Sequence, residues 1–216
     1  MVQLTKEGLA GNANLDELAN AFASSHVFRL PRLLHPDLMQ MISLRLERST
    51  WTARDDGEIA KEDLPDDLMP TNVLNFAANT PHFLNLIRRV TSRHEINLFD
   101  GRIYRMAPGA DHFDSWHADI GTTHQDRLVG MSVNLSPRPY EGGMFRLRDE
   151  GSGELFCELS NTGQGDGIFF RISPTLKHMV TALIGDEPKI AFAGWFRTSD
   201  KDFYSKLKEV CSVARR

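Results

Sequence analysis

The sequence predicts a mainly β fold with helices packed on its outside, and three observations carry that expectation. From about residue 95 onward short apolar-alternating runs recur: EINLF, RIYRM, RLVGMSVNL, MFRLR, ELFCEL, GIFFRI, HMVTAL and KIAFAGWF. A period of two is what a strand with one buried face requires. Turn-forming clusters separate the runs, namely DG, APG, SPRPYEGG, DEGSG, NTGQGDG, SPT and GDEP, and Gly, Pro, Asn and Asp are the residues that turns select. Ahead of them the apolar residues recur three and four apart, as on helices. Many short strands at this spacing make a sandwich or a barrel, with the helices flanking it.

Taken in order, NLDELANAFASS opens as a helix. Asn14 stands three residues before Glu17, a capping-box spacing, and Leu15, Leu18 and Phe22 form its apolar stripe. HVFRLPRLL reads as a strand broken by Pro31; Pro36 then starts a second helix in which Leu38, Met41 and Ile42 share a face. Residues 50 to 70, TWTARDDGEIAKEDLPDDLMP, are acidic and carry no clean periodicity, so they read as a long surface loop, with an active-site lid as the sharper alternative. NTPHFLNLIRRVTSRH forms a third helix, with Thr80 as cap, Pro81 at its first position, and Phe83, Leu84, Ile87 and Val90 on one side. DKDFYSKLKEVCSVARR closes the chain as a helix over about 200–214, turning Phe203, Leu207 and Val210 inward. A chain of 216 residues with 41% hydrophobic content buries one sizeable core. The expectation is one domain over 1–216: a mostly helical support region at 1–94, a β core at 95–197 and the terminal helix.

Composition excludes several classes of partner. Lys and Arg number 25 against 29 Asp and Glu, a formal charge of -4, so no broad basic surface awaits a nucleic-acid backbone. Nowhere do about 18 apolar residues run together, and the N-terminus has no basic start followed by an apolar block, so a soluble, non-membrane protein is expected. Cys157 and Cys211 are the only cysteines. They are too few for a disulfide framework and not spaced as metal ligands, which points to a reducing cytoplasm.

The chemistry concentrates at DSWHADIGT, residues 114–122. If FDSWHADI is a strand, its alternation puts His117 and Asp119 on one face, with the small Ala118 on the other. An imidazole and a carboxylate are natural ligands for a divalent transition metal, and one more histidine completes a 2-His-1-carboxylate face with open positions left over. His26, His35, His82 and His94 lie in the helical half, while His112 and His124 sit in loops beside the pair. His178, in the strand-like SPTLKHMVTAL, is the candidate that remains. Lys189 adds a second signal. It opens KIAFAGWF on the same face as Ala191, Ala193, Trp195 and Arg197. A cation among small inward side chains calls for a buried anion opposite, and a bound dicarboxylate supplies one.

YRMAPGADHFDSWHAD, VNLSPRPYEGGMF, GDGIFF, KHMVTALIG and KIAFAGWF occur in the order found in the iron(II)/2-oxoglutarate-dependent oxygenases. Over about 95–197 the chain resembles the prolyl 4-hydroxylase-like branch of that family. The resemblance implies a double-stranded β-helix, a jelly-roll of the cupin-like kind. It implies Fe(II) held by His117, Asp119 and His178, with 2-oxoglutarate and O2 as cosubstrates and ascorbate as a candidate reductant. It pairs the distal carboxylate of 2-oxoglutarate with Lys189, or with Arg197 as the alternative. Asn134 falls where a cosubstrate-holding tyrosine is common and could donate the same bond through its amide. Tyr104 is a further candidate contact, weighed against an ordinary core position. The implied reaction hydroxylates an unactivated C–H bond, on an amino-acid side chain that is peptide- or protein-bound or free, and releases succinate and CO2.

Two other classes stand beside this reading. A cupin-like enzyme without 2-oxoglutarate favours an H-x-H pair followed by Glu, against which Asp119 argues; a non-catalytic jelly-roll module has no need of a converging triad. Trp116 and Trp195 serve either as core aromatics or as substrate walls. Arg146, Arg148 and Arg171 are read mainly as solvated, Asp111 and Asp114 as turn residues, and the turn at Glu141, Gly142 and Gly143 as structural.

Overall fold

Alternation at the very start of the chain forms a hairpin that the helical reading did not anticipate. β1 (Val2–Thr5) buries Val2 and Leu4 and pairs with β2 (Gly8–Gly11). The computed structural model describes residues 1–120 and 124–198, so the helix expected at 200–214, with Phe203, Leu207, Val210 and Cys211, lies outside the described residues. α1 (Leu15–Ser25) begins where its cap predicts: the Glu17 N–H donates to the Asn14 side chain at 3.3 Å, and Phe22 is buried. β3 (Val27–Leu30) ends at Pro31. α2 (Pro36–Leu46) buries Leu38 and Ile42 as expected, but Met39 and Leu46 complete its inner face while Met41 is 38% exposed.

Residues 50–70 are not a loop. They form a hairpin of β4 (Trp51–Asp55) and β5 (Ala60–Pro65), followed by the first turn of α3 (Met69–Ala78). The inward face of β5 carries Glu62, only 4% exposed, so its hydropathy does not alternate although its burial does. α3 does more than cover the core. Asn75 exchanges two hydrogen bonds with the backbone of Gly101, at 2.8 and 2.9 Å, and Asn79 exchanges two with that of Phe99, both at 2.8 Å. Two side-chain amides thus take the place of a neighbouring strand along an edge that would otherwise leave backbone groups unpaired. α4 (Pro81–Thr91) buries Phe83, Leu84, Ile87 and Val90. Thr80 precedes it but makes no cap bond; its hydroxyl donates to the Ala77 carbonyl at 2.9 Å.

The remaining strands are β6 (Leu98–Met106), β7 (Phe113–His117), β8 (Arg127–Asn134), β9 (Glu141–Gly142), β10 (Phe145–Asp149), β11 (Leu155–Leu159), β12 (Gly167–Arg171), β13 (Leu176–Val180), β14 (Leu183–Ile184) and β15 (Lys189–Arg197). An eleven-stranded sheet runs β11-β10-β13-β7-β5-β6-β15-β8-β12-β3, with β4 hanging from β5. Its ladders are antiparallel. The N-terminal region is therefore more than helical support, since β3 and β5 belong to the main sheet. EINLF and RIYRM also merge: the Asp100-Gly101 pair between them is no turn but the middle of β6, with Gly101 opposite Gly194 of β15. A Cβ on Gly194 would sit 2.3 Å from the Gly101 Cα, so the strands approach there because both residues lack side chains.

The alternation divides the apolar residues into two layers. Phe169 of β12 and Phe192 and Phe196 of β15 face the helices, where they meet Phe22, Phe83 and Phe99. Ile168 and Phe170 point the other way, into the barrel, and pack with Phe145, Leu147 and Leu176. The barrel-like curl leaves a cavity between these inner faces. Among the described residues no helix is long and apolar enough to cross a membrane.

Candidate active site

β7 and β13 are neighbours, and their register sets His117 directly opposite His178. β7 stops at His117, so Asp119 lies in the bend beyond the strand rather than on it; it nonetheless turns back to the same point. His117 Nε2 is 3.5 Å from one Asp119 carboxylate oxygen and His178 Nε2 is 3.4 Å from the other. The three ligand atoms lie within 4.8 Å of one another. Donors about 2.1 Å from an ion at adjacent corners stand about 3 Å apart, so small shifts would close this set on a metal.

The supporting contacts fit that use. His117 Nδ1 lies 2.7 Å from the Ser115 carbonyl, which keeps a proton on Nδ1 and turns the Nε2 lone pair toward the other donors. Phe145 and Phe170 pack against the His178 ring, at 5.9 and 4.6 Å between centroids. The Trp195 indole N–H donates to the Asp119 carboxylate. The donor set suits a transition metal such as Fe(II) without any further residue.

Charge is distributed unevenly over the triad. Burial, only partly offset by Asp119, pushes His178 down to about 4, so it is neutral at neutral pH. Burial also disfavours a charge on His117, but the Asp119 hydrogen bond and the Asp114 and Asp119 charges outweigh it and raise His117 to about 9. Burial works against ionised Asp119 as well, yet the two imidazoles hold it well below the usual carboxylate range. Without a metal, one proton occupies the place of the cation, on His117.

The cavity above the triad has a volume of about 450 Å³. Lys189 lines it and is 3% exposed. Burial brings its pKa down to about 8 despite the charges of Asp114 and Glu62. Among the described residues no carboxylate stands within ion-pair distance of its ammonium. Tyr104 lines the same wall, its ring 6.0 Å from Lys189 Nζ. Two other candidates, Asn134 and Arg197, stand outside the cavity lining. The Asn134 amide is spent on the chain, donating to the Gly163 carbonyl at 3.1 Å and accepting from the Ser136 N–H at 3.0 Å, and it does not line the cavity. Arg197 is held by Asp126 at 2.7 Å and Asp100 at 3.6 Å, also outside the lining.

Of Trp116 and Trp195, only Trp195 faces the cavity; Trp116 carries Arg148 on its ring at 4.1 Å. Arg146 pairs with Glu158 and Arg171 covers Phe22 at 4.6 Å, so none of the three arginines weighed from sequence reaches the site. His112 serves its own loop, accepting from the Ala107 N–H at 2.9 Å.

Other residues complete the wall that sequence reasoning left bare. Glu62 is gripped by Arg54 at 2.9 Å and by Arg102 at 2.8 Å, and Arg127 lies 3.5 Å from the Trp195 ring centroid. Asp114 is a strand residue facing the cavity, not a turn residue, and burial raises it to about 6. The signal for the first group was present: Arg54 and Glu62 flank the DDGE turn as opposite charges on facing strands.

The fold is the double-stranded β-helix of the Fe(II)/2-oxoglutarate oxygenases. Three solved structures show the likeness. A Pseudomonas putida prolyl-4-hydroxylase is 17% identical, with 86% of this chain and 99% of that one covered at a TM-score of 0.64. An oxidoreductase of the 2OG-Fe(II) oxygenase family from Burkholderia pseudomallei is 14% identical, covering 88% and 93% at 0.61. A Trichoplax adhaerens prolyl hydroxylase, in complex with a peptide fragment of the hypoxia inducible factor oxygen degradation domain, is 12% identical, covering 85% and 89% at 0.62. No family model and no curated protein matches the sequence.

Proposed function

We propose that the protein is an Fe(II)/2-oxoglutarate-dependent oxygenase that hydroxylates an unactivated C–H bond, on an amino-acid side chain either free or within a peptide. The observation that carries this reading is Lys189: a buried ammonium with no acidic partner in ion-pair range among the described residues, on the wall of the cavity that also holds a 2-His-1-carboxylate cluster. An unpaired buried charge is too costly to keep without a use, and a dicarboxylate cosubstrate supplies the missing anion.

In this reading His117, Asp119 and His178 hold the iron, which when loaded with 2-oxoglutarate supplies O2 activation coupled to oxidative decarboxylation. The chain supplies position. Ser115 fixes the tautomer of His117, the Trp195 indole orients Asp119, and Lys189 anchors the far carboxylate as a point charge. Phe145, Ile168 and Phe170 make that side of the cavity apolar, which limits water near the reacting centre. The peptide seen with the Trichoplax enzyme supports an amino-acid side chain as the target class.

Anaerobic titration of the metal-free protein with Fe(II) and then 2-oxoglutarate tests this. A weak visible charge-transfer band is expected, absent in His178→Ala. No band with the intact protein would defeat the proposal in favour of a cupin-like enzyme or a binding module.

A further inference from the structure

Helix α3 is apolar on its outward side as well as its inward one. Leu74, Ala77 and Ala78 face the core, and Asn75 and Asn79 turn to β6. The side left over carries Met69, Val73 and Phe76, whose i, i+4, i+7 spacing sets them in one row. Leu68 stands at its start. Phe76 is 72% exposed, more than any other large apolar residue among those described, and Leu68 and Met69 are 59% and 50% exposed. A helix that keeps apolar residues on opposite sides is ordinarily covered on both.

Helix α2 extends the same face. Arg45 near its end meets Asp67, just ahead of α3, at 3.1 Å, so the flank of α2 that carries Arg45 is turned toward α3. Met41, one turn before Arg45, shares that flank, and Leu44, 50% exposed, lies beside it. At these exposures the five residues present on the order of 500 Å² of apolar surface. A patch of that size marks an interaction site, whereas single exposed apolar residues need no partner.

The charges at its edge decide what covers it. Nucleic acid or an anionic membrane surface calls for a basic surround, but here Arg45 and Arg48 stand with Glu47, Asp66 and Asp67. Acid and base on one patch can each meet the other across a two-fold axis, so the face is complementary to itself. A standard interface takes about 800 Å² from each partner, which the apolar residues and the charged edge supply together. We propose that the outer faces of α2 and α3 form the interface of a symmetric homodimer, with Phe76 at its centre. None of the five apolar residues lines the cavity, so pairing leaves both sites free. The inference stands apart from the oxygenase reading.

Sedimentation equilibrium of the full chain from about 0.5 to 100 μM, the range in which interfaces of this size commonly associate, tests it. The mass rises from one chain toward two and levels there. Phe76→Ser weakens association tenfold or more, as loss of a central aromatic does, and Leu44→Ser weakens it from the second helix. Leu155→Ser, at an equally exposed apolar position on β11, changes nothing. Circular dichroism and the unfolding midpoint at low concentration show whether each variant folds, and where Phe76→Ser does not, Leu44→Ser and Leu68→Ser take its place. A single-chain mass throughout overturns the proposal and leaves the face to residues 199–216 or to a different protein. Growth beyond two chains, a dimer indifferent to the α2 and α3 variants, or equal weakening by Leu155→Ser overturns it as well.

Discussion

His117 and His178, 61 positions apart in the chain, face each other across the β7–β13 ladder with ring centroids 4.3 Å apart. A single proton settles on His117, which despite its burial has the Asp119 hydrogen bond, Asp114 and the Ser115 carbonyl on its side, while Phe145 and Phe170 surround His178. A metal ion must displace that proton to use the His117 lone pair. The sign follows from a His117 pKa of about 9: below it metal and proton compete, so Fe(II) affinity rises with pH up to about 9, by about tenfold per unit. Anaerobic calorimetry in buffers of different ionisation enthalpy should find about one proton released per ion at pH 7. Flat affinity between pH 6.5 and 8.5 would contradict this arrangement.

Lys189 opposes stability to function. Its folded pKa of about 8 lies below the ordinary 10.5, so between these values the unfolded chain binds more protons than the native one and stability rises with pH. At pH 7 the buried ammonium destabilises the ligand-free protein by roughly 3 kcal/mol. Lys189→Met therefore raises Tm at pH 7 by several degrees, since about 1 kcal/mol is worth 2–4 °C in a domain of this size, while 2-oxoglutarate binding weakens by an order of magnitude or more. In the unaltered protein, 2-oxoglutarate affinity falls as pH rises through about 8 and the ammonium is lost. Differential scanning calorimetry and the charge-transfer titration read the two effects separately, and a lower Tm for Lys189→Met would refute the first.

Glu62 ties the β4–β5 hairpin to β6 through Arg54 and Arg102. Removing it with Glu62→Gln leaves two guanidiniums, each about 30% exposed, without their shared partner. Partial solvation moderates the loss, so about 2 kcal/mol is expected rather than the 3–5 of a fully buried pair. Tm should drop by about 4–8 °C. Arg54→Gln, which leaves Arg102 on Glu62, should cost less; equal losses would show that the three charges do not act as one cluster.

The β core and the triad were legible because they rest on period and spacing: His117, Asp119 and His178 sit in a strand, just past a strand and in a later strand, and the ladder does the rest. Lys189 was legible for a related reason, as a cation among alanines on an inward face. What escaped the sequence reading is where burial and hydropathy part. β5 buries Glu62 and Ala60 behind an acidic composition, and α3 carries asparagines whose partners are backbone groups 20 and 26 residues away. Arg127 escaped because its meaning depends on Trp195, which reaches it only through the pairing of β8 with β15. The bonds of Asn134 to Gly163 and Ser136 were likewise invisible in the sequence, because they depend on how the loops around it fold.

The glycine pair at the centre of the sheet gives the last prediction. Gly101 and Gly194 face each other between β6 and β15, and a Cβ on Gly194 would fall 2.2 Å from the Asp100 carbonyl oxygen. That neighbour is backbone in the longest ladder of the sheet, so the strands themselves must part to admit a methyl group. Gly194→Ala should destabilise by about 1–3 kcal/mol or more, in contrast to the small gain that glycine replacement brings where the backbone is unhindered. Because Trp195 follows at once and orients Asp119, the displaced strand should also loosen the metal site. Chemical denaturation of Gly194→Ala beside an anaerobic Fe(II) titration measures both, and unchanged stability with unchanged iron affinity would mean that the two strands do not depend on this close approach.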